Sequence, residues 1–276
     1  MISIITPCKD IVKQGREPFF HKMMSTLKAQ TYKNWEHILV DGGSKDGTVE
    51  ICKKYQEEGL IDQFISEPDD NLHQALNKGL KYAKGEYIYI MNSDNYFAIN
   101  NFFDRSLEAF RDNEIDYTHA DRIIVKRNGG PSTIKKGDER VAFFRMPFRW
   151  QTMLIKKSVY DEIGVFDEKY FIASDYKFMM QMILSGKKGF YFPENFIYTL
   201  DGGITQDRQK CIDEVSSVLY EVYGKRYNLT LEECRKTYLR TISPTLYRKI
   251  LSNISNEKIK QSLKYCYENL NEYKSK

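Results

Sequence analysis

Trp35-Glu36-His37-Ile38-Leu39-Val40-Asp41-Gly42-Gly43-Ser44-Lys45-Asp46-Gly47-Thr48 runs from an apolar stretch into a glycine-rich polar turn and then into a helix start. Residues 35–40 read as a buried strand. Asp41-Gly42-Gly43-Ser44 reads as a turn whose glycines supply positive φ. Residues 48–55 read as a helix. The same order recurs on both sides. Upstream, residues 2–6 form a short β-branched run closed by Pro7. Residues 17–30 follow, with Phe20, Met23, Met24 and Leu27 at helical spacing. Downstream, residues 61–66 predict a third strand, 71–83 a helix closed by Gly85, and 87–91 a fourth strand. Asn92-Ser93-Asp94-Asn95 and a helix over 99–111 come next. Strands alternating with helices predict an α/β fold, a mostly parallel sheet with helices on both faces and right-handed crossovers.

The second half changes character. Residues 121–126, the turn Asn128-Gly129-Gly130-Pro131 and residues 132–135 predict a hairpin. Residues 153–155 and 190–192 predict short strands, and 174–184 a helix. From residue 206 the pattern is helical throughout, over about 208–223, 230–238, 245–254 and 257–273. Ile259, Leu263, Tyr267 and Leu270 form an apolar stripe on the last of these. The expected organisation is an α/β domain over 1–205 with a helical extension over 206–276.

Composition removes several function classes. Hydrophobic residues make up 41% and charged residues 29% of the 276, which excludes wholesale disorder. No apolar run approaches the roughly 20 residues of a spanning helix. Met1-Ile2-Ser3-Ile4-Ile5-Thr6-Pro7 has no basic leader and stops at proline, so it does not read as a signal peptide. A cytoplasmic location is the resulting expectation. The five cysteines (Cys8, Cys52, Cys211, Cys234, Cys266) are scattered, which suggests neither a zinc site nor a disulfide framework. The formal net charge of +4 is too weak to imply nucleic acid. It is unevenly placed, because residues 225–276 carry 12 Lys and Arg against 5 Glu, which leaves the rest of the chain slightly acidic. Such a tail fits an anionic surface or a solvated helical face.

Ligands of open parallel sheets bind beyond the carboxyl ends of the strands. Those ends here are Thr6-Pro7-Cys8-Lys9-Asp10, the Asp41 turn, Ser66-Glu67-Pro68-Asp69-Asp70 and Asn92-Ser93-Asp94-Asn95. All four carry carboxylates, which repel one another unless a cation or sugar hydroxyls intervene. Asp94 offers hard oxygens to Mg2+ or Mn2+ with a nucleotide diphosphate completing the shell, or else caps the following helix. Asp41 is placed to bind a ribose or base, or else forms an Asx turn. Neither GxGxxG nor GxxxxGK[ST] is present, which argues against a dinucleotide enzyme and a P-loop ATPase.

These residues fall in the order of a known family. The chain resembles the family-2 glycosyltransferases of the GT-A fold, the inverting bacterial type that builds surface polysaccharides. The resemblance rests on Ser3-Ile4-Ile5-Thr6-Pro7, Gln30-Thr31-Tyr32-Lys33-Asn34-Trp35-Glu36, Val40 to Thr48, Ser66-Glu67-Pro68-Asp69, Asn77-Lys78-Gly79, Ala83-Lys84-Gly85-Glu86-Tyr87 and Asn92-Ser93-Asp94. Gly164-Val165-Phe166-Asp167-Glu168 and Ala173-Ser174-Asp175-Tyr176 continue it. It covers residues 1–205, and implies a nucleotide-binding half over 1–115 and an acceptor-binding half over 116–205.

The resemblance implies a nucleotide-sugar donor, with a UDP-sugar as the family's habit, and transfer of a hexose or N-acetylhexosamine. It implies a glycan or polyprenyl-diphosphate-linked sugar as acceptor. Thr6, Pro7, Asp10 and Asp41 would line the nucleotide pocket, and Asp69 and Lys78 the segment closing over it. Asn92, Ser93 and Asp94 stand at the family's metal motif, so Asp94 would hold the cation (Mn2+ or Mg2+). Asp175 stands at its general base. Trp150 and Gln151 occupy its acceptor-side position, and Gly202-Gly203 resembles a glycine pair near the diphosphate. Four positions depart from the family pattern: Asn95, Asn71, Gln74 and Trp150. Those departures leave a catalytically silent binding or scaffold protein as the competing reading. Arg248-Lys249 among Leu246, Ile250 and Ile254 suggests a helix lying on an anionic bilayer at the inner face of the plasma membrane, or else a packing or homodimer helix.

Overall fold

The first strand is buried along its whole length, and a sheet assembles on both of its edges. The computed structural model of the protein describes residues 1–202 and 207–270. Strand β1 (Ile2–Cys8) pairs in parallel with β2 (Trp35–Asp41) on one side and β4 (Tyr87–Ile90) on the other. Strand β3 (Gln63–Ser66) adds to β2, again in parallel. The predicted four-strand parallel core is therefore present. Its connections are α1 (Glu17–Lys28), α2 (Thr48–Glu57) and α3 (Leu72–Tyr82). Ile2, Ile4, Leu39 and Tyr89 pack with Phe20 and Met23 of α1, Cys52 of α2, and Phe102 and Phe103 of α4 (Phe102–Asp112). Ile5 points to the other face, where α3 lies against it through Gly79. Alternation along β1 thus places helices on both faces.

Beyond β4 the sheet is mixed. Strand β5 (Tyr96–Phe97) pairs antiparallel with β9 (Gly189–Leu200), and β6 (Tyr117–Val125) pairs in parallel with β9. Strand β7 (Thr133–Lys135) closes the predicted hairpin with β6. Strand β8 (Leu154–Lys156) joins β4 to β6, antiparallel to both, and α5 (Lys157–Ile163) follows it directly. The strand order is β3-β2-β1-β4-β8-β6-β9-β5. β9 is much longer than the 190–192 segment predicted. Pro193 and Glu194 break its apolar alternation, and the ladder accommodates them with register shifts around Asp121.

The chain divides into two compact units. All nine strands belong to the first. The second comprises Asp138–Phe148, Lys169–Gly186 and Gly202–Lys276. It contains α6 (Ser174–Leu184), α7 (Arg208–Leu219), α8 (Leu231–Tyr238), α9 (Pro244–Asn253) and α10 (Glu257–Glu268). The predicted helix over 208–223 ends as a π-helical turn, Tyr220–Gly224. Thr230 and Glu233 form a reciprocal capping box at the start of α8. On α10, Ser262 Oγ and Cys266 Sγ donate to the Arg140 carbonyl at 2.6 and 3.0 Å. Ile250 and Ile254 are buried, while Arg248 and Lys249 are exposed. Of the apolar residues expected to face a bilayer, Ile250 and Ile254 therefore pack inside this unit and Leu246 is half-buried. No helix among the described residues is long and apolar enough to cross a membrane. All five cysteines are free thiols, four buried and Cys211 half-buried.

One contact fixes where the fourth strand begins. Ser3 Oγ donates to Glu36 at 2.6 Å and accepts from Gly85 N at 2.7 Å, while Lys84 N donates to the same Glu36 oxygen at 2.7 Å. A Cβ on Gly85 would sit 2.6 Å from Ser3 N and 2.9 Å from the Ile2 carbonyl carbon. That obstacle is backbone and cannot turn aside. We expect Gly85→Ala to destabilise the fold by about 1–3 kcal/mol, read as a lower urea midpoint; an unchanged midpoint would refute the steric account.

Candidate functional site

The strand-end loops of the sheet unit are stitched together by the side chains of the Asp41 turn. Asp41 is fully buried. Its Oδ2 accepts from Gly43 N at 3.1 Å, Ser44 N at 2.9 Å and Ser66 Oγ at 2.7 Å, and its Oδ1 accepts from Ser44 Oγ. The carboxylate therefore builds an Asx turn and ties in the end of β3. Gly43 has φ +76°, and a Cβ there would stand 3.1 Å from Pro68 N. The β1 loop is held by the same motif: Asp10 N donates to Ser44 Oγ, Ile11 N to Thr48 Oγ1 and Lys13 N to Asp46. Asp10 itself is half-buried at positive φ (48°). Thr6 and Pro7 are buried in β1. His37 Nδ1 faces the Leu60 carbonyl at 3.0 Å, which can only accept, so Nδ1 carries the proton. Nε2 then accepts from the Thr6 hydroxyl at 2.9 Å.

Each residue of Asn77-Lys78-Gly79 has a separate task. Asn77 exchanges hydrogen bonds with the Phe166 backbone at 2.8 and 3.0 Å, anchoring the Gly164–Glu168 motif. Lys78 Nζ lies 2.5 Å from Asp69 and 2.8 Å from Glu67, and donates to the Pro68 carbonyl at 3.2 Å. It pins the loop after β3. Burial raises the Asp69 pKa despite Lys78 beside it. The unusual Asn71 and Gln74 are structural. Asn71 caps α3 by accepting from His73 N and Gln74 N, each at 3.0 Å, and Gln74 accepts from Asp70 N at 2.8 Å.

The loop after β4 holds Asp94, mostly buried. Its Oδ2 stands 3.6 Å from Arg16 Nη1 and 3.7 Å from Arg127 Nη2. Burial raises its pKa, and the two guanidinium groups pull the other way. Asn92 Oδ1 accepts from the buried Trp150 indole at 3.3 Å, so Trp150 braces this loop. Trp150 packs edge-on to His73 and Phe166. Ser93 and Asn95 are buried. Gln151 is buried too, and its Oε1 has no hydrogen-bond partner among the described residues. The donor set does not fit a resident divalent cation. Asp94 Oδ2 already faces two positive charges, and Asn92 Oδ1 is engaged by Trp150.

In the helical unit, Asp175 is buried in the first turn of α6, where its Oδ1 accepts from Tyr176 N at 2.7 Å. The preceding loop is clamped by Glu214 of α7, which accepts from the backbone N–H groups of Phe171, Ile172 and Ala173 at 3.2, 2.7 and 3.0 Å. Tyr176 donates to the Ala142 carbonyl. Lys169 and Lys177 both pair with Glu221; burial works against its charge, but the two ammonium groups bring its pKa down to about 2. Gly202 has φ +92°, and Gly203 lies outside the described residues.

A family model described as "Glycosyl transferase family 2" matches residues 3–184. The chain belongs to this family. Among curated relatives, the uncharacterised glycosyltransferase EpsJ of Bacillus subtilis is 24% identical over 220 residues, covering 78% of this chain and 59% of EpsJ. The chain spans 22% to 62% of the length of the first three curated relatives it matches. Its fold is that of S. aureus TarS 1-349 solved with UDP-GlcNAc: TM-score 0.65, 15% identity, 99% of this chain and 92% of that one. A mannosyltransferase from Pyrobaculum calidifontis, solved with GDP-Man and Mn2+, matches with TM-score 0.61 and 15% identity over 99% of this chain and 82% of that one. The family motifs account for the residues around the strand ends. Arg16, Arg127 and Glu214 lie outside those motifs, and only their positions in space single them out.

His37 makes this site's scaffold sensitive to acid. Burial lowers its pKa from 6.5 to about 4, against the Leu60 carbonyl and Asp62, which favour the charged form. The unfolded chain therefore takes up the proton first as pH falls. The stabilisation is complete above pH 6.5 and is lost as pH approaches about 4. Wild type should lose about 3 kcal/mol more than His37→Gln between these limits, measured by denaturant titration at each pH; parallel profiles would refute this.

Proposed function

We propose that the chain is an inverting glycosyltransferase that moves a hexose or N-acetylhexosamine from a nucleotide sugar to a sugar hydroxyl. The carrying observation is Asp175, a buried carboxylate in the first turn of α6, just after a loop held by three backbone hydrogen bonds to Glu214. A general base needs a fixed orientation, and this arrangement supports it. In the proposed step the acceptor oxygen forms a bond to the anomeric carbon and gives its proton to Asp175. The bond from that carbon to the diphosphate oxygen breaks, and the nucleoside diphosphate leaves with the electron pair. Displacement from the opposite side inverts the anomeric centre.

A UDP-sugar is the proposed donor, supported by family membership and by the resemblance to TarS solved with UDP-GlcNAc. A lipid-linked or cell-surface glycan is the proposed acceptor, and the cytoplasm the proposed location. The proposed transferase domain runs to about residue 205.

The test is release of UDP from UDP-glucose, UDP-galactose and UDP-N-acetylglucosamine, alongside nucleotide binding. Asp175→Asn should cut turnover by about a hundredfold or more while binding the nucleotide within twofold of wild type. Wild-type turnover in Asp175→Asn would remove Asp175 as the base. Nucleotide binding without turnover of any donor, even with mixed glycan acceptors, would favour the silent binding protein.

A further inference from the structure

We propose that Arg16 and Arg127 are the groups that take the donor's diphosphate, in place of a resident divalent cation. The inference rests on the nucleotide-sugar reading above and specifies how the leaving group's charge is neutralised. Both guanidinium groups converge on one oxygen, Oδ2 of Asp94, at 3.6 and 3.7 Å. Two like charges would not stay together without it, so Asp94 holds the pair side by side. Both distances exceed a hydrogen bond, so the contact does not use up the N–H donors that face it. Two positive charges around one negative leave a net positive site.

Arg16 Nη2 donates to Gln14, but two buried donors nearby lack acceptors. Arg16 Nε is buried and has no hydrogen-bond partner among the described residues. The same holds for Nδ2 of Asn95, next to Asp94 in a fully enclosed position. Buried donors left unpaired are costly, and an incoming group rich in acceptor oxygens relieves that cost. Arg127 is aimed by its own backbone. Its N donates to Asp201 Oδ1 at 2.9 Å and its Nε to the Asp201 carbonyl at 3.1 Å, which leaves the terminal nitrogens toward Asp94. A planar guanidinium fork matches phosphate oxygens in pairs, which a lysine does not. As the bond from the anomeric carbon to the diphosphate breaks, the electron pair passes to the bridging oxygen. The guanidinium pair meets the added charge there.

Isothermal titration of the full chain with UDP, GDP and dTDP, each in EDTA and in Mn2+, tests the assignment. The parent nucleoside of whichever nucleotide binds serves as the diphosphate-free control. One nucleoside diphosphate should bind in EDTA within about threefold of its Mn2+ affinity. Arg16→Gln and Arg127→Gln should each weaken that nucleotide by about tenfold or more. Both variants should bind the parent nucleoside like wild type, which also reports that they fold. Arg127→Lys should recover only part of the loss. Binding that requires Mn2+, or glutamine variants that bind the nucleotide within twofold of wild type, would overturn the proposal. No binding of any nucleotide in either condition would overturn the donor reading itself, and is a distinct result.

Discussion

A buried carboxylate is tolerated only when its oxygens are satisfied by donors, and Asp41 meets that condition through neighbours from two strand ends. The arrangement cannot be altered piecemeal. Losing Ser66 frees the end of β3, and losing Ser44 also releases the backbone of Asp10 on the β1 loop. The carboxylate is thus the node on which the first three strand ends are organised. Its fixed geometry holds these loops in place relative to one another.

The parallel core was legible because a buried parallel strand leaves a plain trace: a continuous apolar run, a glycine or asparagine turn, then helical spacing. Helix α6 was legible for the same reason. The later strands were legible only in part: the β6–β7 hairpin and β8 were read from the sequence, whereas β5 is two residues long and β9 carries Pro193 and Glu194 with register shifts. Such strands are specified by their neighbours more than by their own sequence. Motif spacing singled out Asp41, Lys78, Asp94 and Asp175 as candidates. It offered the Asx turn of Asp41 as one of two readings but did not indicate the bond from Ser66, which is long-range. Arg16 and Arg127 come from separate elements and converge only when the sheet is built.

The unusual positions have local physical reasons. Asn71 caps α3 and also donates to the Glu168 carbonyl. Gln74 closes the same helix start, and Trp150 donates to Asn92. Asn95, where the family often has a second carboxylate, is buried beside Asp94.

The helical unit is assembled from three separated stretches of chain, and its last described helix grips the first of them at Arg140. The order in which a ribosome delivers these pieces then matters. Asp138–Phe148 emerges early but cannot acquire its partner until Glu257–Glu268 has been synthesised. The loop before Asp175 likewise waits for Glu214. The sheet can close strand by strand as it is translated, whereas the segment bearing Asp175 gains its final setting near the end of synthesis. A chain stopped short would therefore contain Asp175 without the scaffold that orients it.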